Sequence, residues 1–116
     1  MALAPFNPGS LDRRIRIERA VPTLDDYGGE VIDWQVLAER WASRRDVSDS
    51  EKSAAGQTAA FGMARFVVRY DTATRSINAK DRIVHEGVVW NIQGTKEVGE
   101  RRRQILEITA IRSGDP

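Results

Sequence analysis

Apolar and polar residues alternate along most of the chain, which predicts β-strands with one buried face. In the segment "RRIRIERAV", residues 13–21, Ile15, Ile17 and Val21 fall on one side. The charged side of this strand consists of Arg14, Arg16 and Glu18. A second alternating run, "VIDWQVLAERWASRR", follows a Gly-rich and Asp-rich turn, so the two runs predict a long hairpin. The residues expected on the inner face of this second run are Ile32, Trp34, Val36 and Ala38.

Trp34 and Trp41 are seven residues apart, so an unbroken strand would place them on opposite faces. A β-bulge between Leu37 and Arg40 would let both be buried, and this is the interpretation that we favour. The alternative leaves Trp41 on the outer face, packed against another chain.

Three further runs complete the strand pattern. The run "MARFVVRY" predicts a strand with Phe66 and Val68 inward. "RIVHEGVVWNIQG" predicts a hairpin with its turn at residues 85–87 and with Val88, Trp90 and Ile92 inward. The last run, "RRRQILEITAIR", places Leu106, Ile108 and Ala110 on one face.

The pattern as a whole predicts an all-β fold, a small antiparallel β-barrel of five or six strands without a long helix. The 116 residues predict a single domain, with the barrel over residues 12–112, a flexible arm at 1–11 and a tail at 113–116. The sequence has no cysteine, which excludes disulfides and thiolate sites. It also lacks a membrane-length apolar run and a signal-peptide pattern, so we expect a soluble protein made in a cytoplasm.

The segment "SDSEKSAAGQTAA", residues 48–60, interrupts the strand pattern with no large apolar residue. Ser48 and Glu51 have the spacing of a helix capping box, whereas Gly56 and Gly62 would stop any longer helix. Long loops without a pattern are uncommon in compact domains and often serve a function. An ordinary surface loop is the plainer interpretation.

Residues suited to catalysis are scarce. The only histidine, His85, falls in a predicted tight turn, where a solvated side chain is expected. Asp25 and Asp26 are expected to stabilise a turn through Asx-type hydrogen bonds. Neither a metal-ligand set nor a Gly-rich phosphate loop is present, so the sequence predicts no cofactor and no enzyme activity.

Nucleic-acid binding deserves separate consideration, because Phe66, Tyr70 and Trp90 are accompanied by several arginines. The net charge is only +1, and Phe66 and Trp90 fall on apolar faces. The densest basic cluster, Arg101, Arg102 and Arg103, is expected to be solvated, or alternatively to contact phosphate or an acidic partner. A small nucleic-acid-binding barrel therefore remains a less favoured hypothesis.

The order of the motifs resembles the head–tail joining proteins of tailed phages and related gene-transfer particles, also called head-completion, stopper or adaptor proteins. The resemblance covers roughly residues 11–111. It is carried by "LDRRIRIER", "DDYGGEVIDWQVLAERWAS", "FVVRY", "DRIVHEGVVWNIQG" and "RRRQILEI". A tyrosine or phenylalanine is more usual at the position of Trp90.

This resemblance implies a ring, usually twelve-fold, in the particle neck between the portal or adaptor and the tail. Its implied partners are other copies of the chain, the portal or adaptor, a tail protein and the packaged double-stranded DNA, with no membrane contact. The protein would be made in the bacterial host cytoplasm and lie in the neck of the virion or virus-like particle. A tail-completion or tail-terminator protein with a similar barrel is the main alternative.

Two sets of residues are candidate functional sites by their position in such a ring. The first is a channel or assembly loop within 48–62, comprising Ser48, Asp49, Ser50, Glu51, Lys52, Ser53, Ala54, Ala55, Gly56, Gln57 and Thr58. The second consists of subunit or partner contacts at Asp25, Asp26, Tyr27, Arg101, Arg102 and Arg103.

Overall fold

Six β-strands make up most of the fold in a computed structural model that describes residues 8–48, 62–99 and 104–112. The strands are β1 (Arg13–Leu24), β2 (Glu30–Asp46), β3 (Gly62–Arg69), β4 (Arg82–His85), β5 (Val88–Val98) and β6 (Ile105–Arg112). Within these described ranges the only helical elements are two 3-10 turns, Pro8–Ser10 and Thr74–Ser76. The prediction of an all-β fold is therefore confirmed.

The strands form a closed barrel in the order β1-β2-β3-β6-β5-β4, and every neighbouring pair is antiparallel. Closure pairs the short strand β4 with β1 over Arg16–Glu18. As predicted, alternate residues of each strand fill the interior. The fully buried large side chains are Ile15, Ile17, Phe66, Val68, Ile83, Trp90 and Ile108. Phe66 and Trp90 pack edge to face with ring centroids 5.5 Å apart, a favoured aromatic geometry.

A β-bulge interrupts the pairing of β1 with β2, where Ile17 lies opposite Ala38 but Glu18 lies opposite Val36. Leu37 is thus the extra residue, at the edge of the predicted position. As expected, the bulge brings Trp34 and Trp41 onto one face. That face is the outer one, and Trp41 is 54% exposed. The prediction that both tryptophans are buried is therefore wrong.

The bulge also corrects the predicted inner face of β2. Because the extra residue reverses the alternation, Ala38 points into the barrel whereas Val36 shares the outer face with Glu18. Ile32 and Trp34 follow Val36 on that outer face. Glu18 is on the outer face as predicted, but its side chain is buried. Arg16 and Arg82 each donate a hydrogen bond of 2.8 Å to its carboxylate.

The hairpin of β1 and β2 extends beyond the barrel. β2 pairs with β3 only over Ser43–Asp46, and β1 pairs with β4 only as far as Glu18. Residues 20–36 consequently form a two-stranded arm with no other strand of the described ranges beside it; we call this segment the arm. At about 3.3 Å per residue, its strands project roughly 20 Å from the barrel. The Gly-rich and Asp-rich turn of the predicted hairpin is short, because β1 continues to Leu24 and β2 begins at Glu30.

Candidate functional site

The candidate segments leave the barrel at opposite ends. One end of the barrel contains the first residues of β1 and β3 and the last residues of β2 and β6. We call this the terminal end. Ser48 and Gly62, which bound the predicted channel loop, are both at the terminal end. Val47 donates a backbone hydrogen bond of 2.9 Å to Met63, so the loop is closed at its base. The arm lies at the other end, together with Gly99 and Gln104, which flank the Arg101–Arg103 cluster.

Residues 49–58 and Arg101, Arg102 and Arg103 lie outside the described ranges. Ser48 is exposed. The sites predicted within these two segments therefore remain predictions.

Side chains fill the mouth of the barrel at the terminal end. Arg44 points inward beside Phe66, and its guanidinium carbon lies 4.9 Å from the centroid of the Trp90 ring. The guanidinium carbon of Arg112 lies 5.1 Å from the same ring. Both distances are typical of cation–π contacts. Gly62 leaves room for Arg112, because a Cβ at residue 62 would lie only 2.7 Å from the Arg112 Nε.

His85 belongs to this packed mouth, and the prediction of a solvated turn histidine is wrong. It is the last residue of β4 and only 3% exposed, with its ring centroid 5.9 Å from that of Phe66. The turn itself consists of Glu86 and Gly87, whose φ angles of 52° and 77° suit a two-residue type I′ turn. Burial lowers the pKa of His85, and the positive charge of Arg44 lowers it further, whereas Glu86 raises it.

An ion pair and a ring contact fix the base of the arm. Arg19 donates from Nε and Nη2 to the two carboxylate oxygens of Asp81, each at 3.0 Å. The Asp81 side chain is 1% exposed, and its hydrogen bond raises the pKa of Arg19. On the other face of the arm, the Arg82 guanidinium carbon lies 4.0 Å from the centroid of the Trp34 ring. The arm is thus held in one direction by contacts on both of its faces.

The tip of the arm contains the predicted contact residues. Asp25 accepts hydrogen bonds from the backbone N–H groups of Tyr27 at 2.9 Å and Gly29 at 2.7 Å, which confirms its expected role in the turn. Asp26 is exposed, and Tyr27 is 97% exposed. Asp25 therefore shapes the tip, whereas Asp26 and Tyr27 are available for contacts.

Exposed apolar side chains continue from the arm onto the barrel along one outer face. The strand pairing places five of them on this face, and each is between 38% and 74% exposed. We call them the apolar stripe: Leu24, Ile32, Val36, Trp41 and Val89. Leu24, Ile32 and Val36 are near neighbours on the arm, and contiguous exposed apolar surface of this kind marks interaction sites; Arg14, Arg16 and Glu39 separate them from Trp41. The alternation in the sequence places these residues on strands. It does not show that they are exposed, because that depends on whether neighbouring strands are long enough to cover them.

The described residues offer little for other chemistry. Phe66 and Trp90 are buried and cannot stack with bases, which removes the main support for a single-strand binding platform. Tyr70 is half-buried, and a hydrogen bond with Glu97 raises its pKa. Within residues 8–48, 62–99 and 104–112, no group of three or more His, Asp or Glu side chains is placed to hold a metal ion. No helix in these ranges is long and apolar enough to cross a membrane.

The described residues thus form a small closed β-barrel with a projecting arm and exposed apolar side chains on one outer face. Residues 6–113 match the family model of the phage head completion protein, and the chain belongs to this family. The expected resemblance is therefore confirmed.

Two solved structures are similar along nearly their whole length. A protein from Shigella flexneri 2a, known from its solution structure, is 31% identical, with a TM-score of 0.67 over 94% of this chain and 97% of that one. A chain of the virion of a native gene transfer agent particle is 28% identical, with a TM-score of 0.61 over 88% of this chain and 94% of that one. A comparison with curated proteins gave no match.

Proposed function

We propose that this protein forms a ring in the neck of a phage or gene-transfer particle, between the portal or adaptor and the tail. The observation that carries the proposal is the match to the head completion family over residues 6–113. The similarity to a chain of a gene transfer agent virion supports the same role in a particle. The ring would continue the DNA channel, retain the packaged DNA and offer a docking surface to the tail.

The arrangement of the barrel suits a ring component. The arm lies at one end of a closed and well-packed body and the base of the loop at the other, so a copy in a ring would have separate surfaces for the head side and the tail side. The packed mouth formed by Arg44, Trp90 and Arg112 keeps the barrel interior filled. DNA would therefore pass through the central opening that the subunits of the ring surround, and not through the interior of any one barrel.

The loop within residues 48–62 is our candidate for the channel lining. Its charged residues within 48–60 are one lysine and two acids, so it would obstruct DNA without the strong attraction that counterion release gives to a basic surface. A function of this kind requires no enzyme activity and no cofactor. The family is one of structural phage proteins, which agrees with that expectation.

Deletion of the gene separates this function from the tail-terminator alternative. Loss of a head-completion ring should give filled heads that leak DNA and lack tails. Loss of a tail terminator should give tails of uncontrolled length. Salt-dependent binding of the isolated chain to short oligonucleotides would instead favour the nucleic-acid-binding hypothesis.

A further inference from the structure

The arm and the barrel carry opposite charges. The arm has four acidic residues and no basic one: Asp25, Asp26, Glu30 and Asp33. The other described residues comprise fourteen Lys and Arg and nine Asp and Glu, a net charge of +5. The net charge of the whole chain, +1, does not show this division. The division makes the acidic arm of one copy electrostatically complementary to the basic barrel of another.

The outer face of β3 and β6 is the basic surface best placed to receive an arm. Arg65 and Arg69 lie on it, and Arg45 lies beside Arg65 on β2. Glu107 is the one acidic residue of the face, and its carboxylate lies 3.8 Å from Nε of Arg65. Three half-buried apolar residues lie between these charges: Val67, Ile105 and Ile111. Apolar side chains among arginines complement the apolar stripe and the carboxylates of the arm.

The positions of the two faces favour a head-to-tail contact. In the barrel order β1-β2-β3-β6-β5-β4, the outer face of β3 and β6 is a different surface from the stripe, whose residues lie on β1, β2 and β5. A contact between two different faces of the same chain is heterologous, and it closes into a ring when the rotation between copies allows. A contact of the stripe with its own equivalent would instead give a two-fold dimer.

The edge of the arm is less suited to pairing than its face. Pro22 lies within β1 opposite Ile32, and it has no N–H to donate from the free edge of that strand. The arm is also ordered before it binds, because the Arg19–Asp81 ion pair and the Arg82–Trp34 ring contact hold its base. Less ordering is therefore required on binding.

We propose that the arm of one copy packs its stripe residues Leu24, Ile32 and Val36, together with its acidic tip, against the outer face of β3 and β6 of the next copy. This contact is the repeating interface of the ring, and the inference rests on the ring proposed above. The DNA channel is an unsuitable place for the arm, because its four carboxylates would be repelled by phosphate.

A photo-crosslinking amino acid, p-benzoylphenylalanine, at Ile32 tests this contact in assembled particles, and Tyr27 provides a second position. Ile32 is 51% exposed and Tyr27 is 97% exposed, so neither change disturbs the core. We expect a product of twice the chain mass, with the link in a peptide from residues 62–69 or 105–112. The same label at Asp12, which is exposed at the terminal end, should not give this link.

A charge-reversal variant tests the electrostatic part. Asp26→Lys with Glu30→Lys, which lies opposite Leu24 on the face of the stripe, should lower the yield of this product about tenfold, because both carboxylates would become charges that the arginines repel. The matched control Asp12→Lys makes the same kind of change at the other end and should leave the yield unchanged. Thermal unfolding confirms that each variant is folded.

The other outcomes overturn the inference in distinguishable ways. Links from Ile32 to the Trp41 region of a second copy would show a two-fold contact. Links to a different particle protein, or none between copies, would show that the arm has another role, while the proposed ring would stand. Absence of the wild-type chain from the neck would refute the proposed function, and this inference with it.

Discussion

At the scale of single residues, His85 should make the stability of the protein depend on pH. Burial keeps its pKa in the folded state below the ordinary value of 6.5. The unfolded chain therefore binds a proton more readily, and the free energy of unfolding should fall as the pH drops below about 6.5. Urea unfolding at pH 7.5 and 5.5 measures this loss.

A matched variant assigns the effect. His85→Phe keeps an aromatic ring beside Phe66 and should remove the slope in this pH range, because His85 is the only histidine. Asp71 should contribute only at lower pH. Burial would raise its pKa, but the hydrogen bonds from Arg40 and from backbone N–H groups lower it below 3.8. An NMR titration that gave His85 a pKa of 6.5 or higher would contradict the account.

Asp81 provides a second prediction at this scale. Arg19→Ala removes both guanidinium hydrogen bonds from a carboxylate that is 1% exposed, leaving the backbone N–H of Asn78 as a partner at 3.0 Å. We expect a loss of about 2 kcal/mol of unfolding free energy, less than for a fully buried pair because Arg19 is itself partly exposed.

The control for that measurement is Arg13→Ala. Arg13 lies 3.5 Å from Glu86 in a pair in which both side chains are largely exposed, so its removal should change stability little. If chemical denaturation gave the two variants the same loss of unfolding free energy, the burial of Asp81 would not make its ion pair more stabilising than an exposed one.

At the scale of elements, the loop between β2 and β3 should be dispensable for folding. The hydrogen bond from Val47 to Met63 already joins the two strands at its base, and shortening a loop lowers the entropy cost of closure. Replacing residues 50–60 with a four-residue Gly-Ser linker should leave the melting temperature within a few degrees of the wild-type value. In particles, the same variant should reduce DNA retention if the loop lines the channel.

A linker of eleven Gly and Ser residues is the control, since it preserves length and removes the native side chains. Shortening alone should then cause most of the DNA loss if the loop acts as a physical obstruction. Unfolding of the short-linker variant, or full DNA retention by it, would refute the assigned role.

The sequence predicted these elements to different degrees, for physical reasons. Alternation identified the strands, because each has one face on the core, and the Trp34–Trp41 spacing indicated the bulge. It could not decide which face of the arm is buried, because that depends on whether neighbouring strands reach it. The position of His85 was wrong for a different reason. The turn consists of two residues and not three, and a shift of one residue exchanges a solvated histidine for a buried one.

At the scale of the whole molecule, charge is divided between an acidic arm and a basic barrel, although the total is only +1. The candidate segments also emerge at opposite ends of the barrel. Such a subunit has distinct surfaces for its neighbours in a ring and for the layers on each side. The near-neutral total hides these surfaces, so a composition summary could not have found them.

The measurement that tests the central claim most directly is a cryo-electron microscopy reconstruction of the neck of a particle that carries this protein. We predict a ring of identical copies between the portal side and the tail, with the arm of each copy against β3 and β6 of its neighbour. A reconstruction that places the chain on the capsid surface or at the far end of the tail would contradict this account.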